Sequence, residues 1–164
     1  MPNSPLKRPH FFSGKLLTAE DLSGEQQYVI EKFKRHNRSV HGFGIVSGLN
    51  VTERSGRIIV QPGLALDCDG NEVLVDTVQT IDVGKLCDWQ TAYLSVSFVE
   101  IKTAETITES FQFDLVQENA NQGHRHVRAR WLACGQGHAL TIAKLRKSAH
   151  GWRIDRGYRP PRLK

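Results

Sequence analysis

The sequence has no uninterrupted apolar run near the roughly 18 residues that a membrane-spanning helix needs. It has one methionine and three cysteines in 164 residues. Cys68, Cys87 and Cys134 are odd in number and stand at unrelated spacings, which predicts reduced thiols and no disulfide framework. Six prolines and fourteen glycines are ordinary totals, so collagen-like and low-complexity chains are excluded. The opening MPNSPLKRPHFFSGK lacks the apolar segment and small-residue cleavage site of a secretory leader, so the expectation is cytoplasmic synthesis without membrane insertion. No repeat of 20–50 residues is present, which excludes solenoids and propellers. There is no G-x-S-x-G, P-loop, H-E-x-x-H or dinucleotide-binding fingerprint. Gly42, Gly44 and Gly48 follow no strand and open no helix, so they read as a bend into a sheet. With no positioned acid, base or nucleophile, the expectation is a protein that is not an enzyme and uses no cofactor.

What is present is a strong charge asymmetry. Residues 39–121 carry 4 Lys/Arg against 12 Asp/Glu, a net of −8. Residues 122–164 carry 11 against the single acid Asp155, a net of +10, and residues 1–38 carry 7 against 4, a net of +3. Such a division suits nucleic acid, an acidic protein partner or self-complementary assembly. The basic end interleaves Trp131, Trp152 and Tyr158 with its arginines, as a phosphate-tracking surface does. It shows no RRM, KH or helix-turn-helix signature, so nucleic acid is not the expected partner.

Four segments follow from the pattern. Residues 1–17 read as an extended docking arm, because Pro2, Pro5 and Pro9 oppose helix and Phe11-Phe12 is too apolar for a free tail. Residues 18–42 read as one helix and its connection. Thr18 is the N-cap, Glu20 and Asp21 favour the positive pole, Asp21 approximates a capping box, and the helix fades between Asn37 and Gly42. Residues 43–155 change to Gly-punctuated, alternating strands separated by short turns, which indicates antiparallel pairing. Residues 156–164 form a basic tail whose prolines predict that it stays out of the sheet and reaches outward. The expected fold is mainly β: a single antiparallel β-sandwich or barrel-like domain preceded by an extended arm and one α-helix.

Two clusters of ligand-type residues have simpler readings. Asp67-Cys68-Asp69-Gly70-Asn71-Glu72 resembles fragments of a calcium loop but lacks its spacing and closing Glu, so it reads as an Asx-type turn. His124, His126, Cys134 and His138 are the zinc candidates, within fifteen residues of one another. They match no zinc module, and the expectation is no bound metal.

The stretch from Phe11 to Glu72 carries a recognisable cadence. It runs F-S-G-K-L-L-T-A-E-D-L over 12–22, H-N-R at 36–38, H-G-F-G-I-V-S-G-L-N-V over 41–51, P-G-L-A-L-D over 62–67 and G-N-E at 70–72. It resembles bacterial proteins with an "HNR…HGxGVVxGLxV…PGxALDxxGxE" domain, associated with phage-tail-like assemblies and particularly with extracellular contractile injection systems. The resemblance implies a non-enzymatic structural component near the baseplate, spike or fibre attachment, with other particle subunits as partners and a homo-oligomer as an option. The particle would be assembled after cytoplasmic synthesis and released or retained in the cell. It supplies no catalytic residue. The residues expected to dock on partners are Phe11, Phe12, Tyr158, Arg159 and Arg162. Two other classes stay open at this point. One is a carbohydrate-type ligand-binding β domain using Trp89, Trp131 or Trp152 as stacking platforms. The other is a small metal-tipped spike protein.

Overall fold

The computed structural model describes residues 5–86, 88–117 and 138–163. The expected helix forms as α1, Ala19–His36. Thr18 caps it: its Oγ1 accepts the Asp21 N–H at 3.2 Å, and the Asp21 carboxylate accepts the Thr18 N–H at 3.3 Å. Asp21 thus completes a capping box in place of the usual Glu or Gln. Lys15 Nζ holds the same carboxylate at 2.6 Å, and this hydrogen bond is the main reason its pKa lies below the usual aspartate value. The helix ends in one wider, π-helical turn, Asn37–His41, within the interval where the sequence predicts that it fades.

Among the described residues ten strands follow: β1 Gly44–Gly48, β2 Val51–Arg54, β3 Arg57–Val60, β4 Gly63–Leu66, β5 Glu72–Val75, β6 Gln79–Ile81, β7 Thr91–Lys102, β8 Ile107–Gln117, β9 Leu140–Ser148 and β10 Gly151–Ile154. They make three sheets, ordered β1-β4-β5, β2-β3-β6 and β10-β9-β7-β8, and every strand pair is antiparallel. The architecture is therefore the mainly β, antiparallel one predicted, with one α-helix among the described residues. The possible strand over 127–134 lies outside the described residues.

The first two sheets share one bent ribbon. β1 runs into β2 and β3 into β4, and the ribbon folds where Leu49 N–H donates to Pro62 O (3.1 Å) and Gln61 N–H to Asn50 O (2.9 Å). The corner depends on two glycines: a Cβ on Gly48 would lie 2.1 Å from Pro62 O, and one on Gly63 2.3 Å from the Leu49 nitrogen. Strands on both sides then point Ile45, Ile58, Val60, Val73 and Val75 into a single core with Leu94, Val96, Leu140 and Leu145. Burial alternates along β3 and β5, as a half-buried strand requires.

The acidic turn ties helix to sheets. Asp67 is buried, and its Oδ1 accepts N–H groups from Asp69 (2.9 Å) and Asn71 (2.8 Å), while Oδ2 accepts the Asn71 amide (2.7 Å). This is the Asx-type turn predicted, with both carboxylate oxygens occupied by donors. Gly70, at φ +87°, lies so close to α1 that a Cβ would fall 2.3 Å from Lys34 O, and its carbonyl accepts the buried Asn37 amide at 2.9 Å.

The tail departs from expectation. Ile45 N–H donates to Pro161 O at 2.8 Å, and Leu163 N–H donates to Ile45 O at 2.9 Å, so residues 161–163 run parallel along β1. Proline lacks a donor but keeps its carbonyl, and Pro161 uses only that carbonyl at a sheet edge, where proline is tolerated. Tyr158 folds inward, with its hydroxyl donating to Thr141 O at 3.3 Å and its ring against Tyr93 at 6.1 Å.

Two predictions follow from these contacts. Asp67→Ala strands three donors of the turn and is expected to lower unfolding stability by about 1–3 kcal/mol, measured by urea titration. A wild-type midpoint in that variant would show that the turn does not hold the junction. Burial pushes the Tyr158 phenol from 10.0 up to about 12. The folded state therefore keeps a proton that the unfolded chain has released, and stability is lost as pH rises from 10 toward 12. Tyr158→Phe is expected to flatten that alkaline loss in denaturation midpoints taken across this range.

Candidate functional site

Two surfaces stand out among the described residues. The first is the arm with α1. Phe11 and Phe12 are 44% and 62% exposed, so they do not dock on this chain's own core. The arm instead lies against the helix through Pro9, whose ring is 3.3 Å from where a Gly24 Cβ would be, and through Lys15 on Asp21. Among the described residues, nine of the fifteen exposed large apolar side chains lie between residues 11 and 40: Phe11, Phe12, Leu16, Leu17, Leu22, Val29, Ile30, Phe33 and Val40. A concentration of this kind marks an interaction surface, whereas scattered single residues do not.

The second surface is a cleft of about 400 Å³ between the ribbon corner, β9, β10 and the tail. Leu49, Val51, Ile142, Ala143, Ile154 and Pro160 give it apolar walls, and Lys144, Arg156, Arg159 and Arg162 line it with cations. Arg162 Nη2 donates to Asn50 Oδ1 at 3.0 Å, which fixes its place at the corner. The one acid of the cleft, Asp155, is held by the Gly157 N–H and by Arg146 Nε at 2.8 Å, which together keep its pKa below the usual aspartate value. The cleft therefore carries net positive charge. Tyr158, Arg159 and Arg162, predicted as separate tail contacts, all line it. Sequence reasoning missed Asn50, Lys144 and Arg156 as members, because nothing local brings β9 to the corner.

The remaining candidates separate as follows. Trp152 is buried in the core, and Trp89 packs against it half-buried, so neither offers the open face a sugar platform needs. Trp131, His124, His126 and Cys134 lie outside the described residues. His138 takes a left-handed φ of +61°, and its Nδ1 is 3.0 Å from Cys68 Sγ. Among the described residues no three His, Cys, Asp or Glu side chains converge as a metal set. Cys68 is disulfide-bonded, against the expectation of reduced thiols. No helix among the described residues is long and apolar enough to cross a membrane.

No known protein family matches the sequence, and no curated protein matches it. Solved structures do match in fold. A chain of the type VI secretion TssK–TssF–TssG baseplate subcomplex superposes with a TM-score of 0.56 at 14% identity, over 97% of this chain and 63% of that one. A crystal structure of TssK gives 0.59 at 11% identity, over 96% of this chain and 42% of the other. A chain of the type VI secretion baseplate complex gives 0.54 at 14%, over 96% and 60%. This chain thus spans less than two thirds of each, and it shares the fold of a part of these chains.

Proposed function

We propose that this protein is a non-enzymatic structural component of a phage-tail-like contractile injection particle, docking onto baseplate, spike or fibre subunits. The observation that carries the reading is the apolar surface of the arm and α1, which its own β body leaves uncovered. The fold shared with type VI baseplate chains and the cadence over residues 11–72 support the same class. Phe11 and Phe12 insert into a neighbouring subunit, and the cationic cleft receives an acidic segment of another. The particle assembles after cytoplasmic synthesis, and this chain contributes contacts and geometry to it. The docking surfaces belong to the assembled state, where apolar side chains lose water and clustered arginines set orientation.

Cells lacking this gene are expected to yield no sedimentable particles, and the wild-type gene is expected to restore them. Phe12→Asp should fold normally by circular dichroism yet be absent from the particle fraction. Particles that form without the protein, or that incorporate Phe12→Asp fully, would refute the docking reading. The cleft has its own signature. Arg156→Glu with Arg159→Glu should weaken association with an acidic subunit roughly tenfold or more. Wild-type association should also fall as salt rises past about 0.15 M, where the Debye length drops below roughly 8 Å. Affinity unchanged by both manipulations would remove the cleft from the docking surface.

A further inference from the structure

The apolar stripe of α1 points away from the protein that carries it. On a helical projection Leu22, Val29 and Phe33 fall within about 40° of one another, while Asp21, Tyr28 and Glu31 lie about 100–180° round from Leu22. The first three are exposed and the second three are half-buried. An amphipathic helix packed on its own core has the reverse arrangement. The stripe also has a particular period. Ala19, Leu22, Gln26, Val29, Phe33 and His36 follow alternating steps of three and four along the whole of α1. That is the narrow 3.5-residue seam of paired helices, in contrast to the wider face a globular core takes.

We propose that this seam is covered by the same seam of a second copy of the chain, in an antiparallel, two-fold symmetric helix pair. The proposal rests on the reading of residues 11–40 as an assembly surface and names what covers the helical part of it. In this register Ala19 packs on His36 of the second copy, Leu22 on Phe33, and Gln26 on Val29. Glu25 and Lys32 lie on one flank of the seam, seven residues apart. Antiparallel pairing sets each Glu25 against the other copy's Lys32, and the symmetry makes two such pairs. Parallel pairing would set Glu25 against Ile30 and Lys32 against Asn37, with no charge match. The attachment of the helix favours the same direction. Its C-terminal end is tied to the β body through Lys34 and Arg38 on Asp69 and through Asn37 on Gly70. Antiparallel helices place the two β bodies at opposite ends of a rod about 27 Å long, whereas parallel helices crowd both at one end.

The test uses the purified full chain. Sedimentation equilibrium should give a dimer at about 100 µM. Glu25→Lys and Lys32→Glu should each weaken dimerisation about tenfold or more, because each turns two attractive pairs repulsive. The double swap should return the constant to near wild type. Ala19→Cys and His36→Cys chains, mixed and oxidised, should crosslink to each other beyond the level of the parent protein, and Ala19→Cys alone should not. A monomer at that concentration would overturn the second-copy proposal and leave the assembly reading standing, with a different subunit on the seam. Self-crosslinking of Ala19→Cys would overturn the antiparallel register. Single swaps without effect would overturn the charge pairing.

Discussion

The geometry of this protein depends on one buried junction, where the Asn37 side chain donates to Gly70 O while the Gly70 backbone lies against the Lys34 carbonyl. Asn37 begins the wide last turn of the helix, and Gly70 sits in a turn organised by the buried Asp67 carboxylate. No side chain fits between the two backbones, so the approach admits glycine alone at 70. The junction sets where α1 leaves the sheets and how it is rotated. With Lys34 and Arg38 turned toward Asp69, the apolar stripe is turned outward. A polar anchor at one end of a helix thus determines which face is offered to the rest of an assembly.

The ribbon corner has a comparable role at the other surface. Gly48 and Gly63 allow the β1–β4 pair to fold over into β2–β3, and the fold leaves Asn50 beside the tail. The tail then closes along β1 through carbonyl and amide groups of Pro161 and Leu163. Its arginines are held around an apolar-walled cleft by backbone that is itself part of the sheet edge. A charged end fixed in this way presents its charges at set positions, so that it can specify orientation as well as attract. The same closure half-buries Tyr158, and the loss of solvent around its phenol raises its pKa.

Much of the local structure was legible. Thr18, Asp21 and the three-to-four spacing announced α1 to within a residue, and the strand alternation announced antiparallel sheets. The Asp67–Glu72 turn was read correctly from side chains that bond their own backbone. Three features were not legible. The two prolines of the tail argued for a free end, yet the Pro161 carbonyl and the Leu163 N–H at an edge strand suffice to dock it. Trp152 looked like a platform but completes the core, because the face it occupies depends on the register of β10 on β9. The cleft joins residues from four separate elements, and no local pattern marks such a set.

The sequence by itself determined the elements: capping, periodicity and turn chemistry are interactions between residues a few positions apart, and they act before the chain closes. It also determined that the helix carries an apolar stripe and that cationic side chains cluster in the last 43 residues. Only the tertiary structure decided what those clusters face. An amphipathic helix carries the same moment whether its apolar side meets its own sheets or another molecule. The choice was made by a long-range contact between Asn37 and Gly70, thirty-three residues apart, which short-range pattern cannot express.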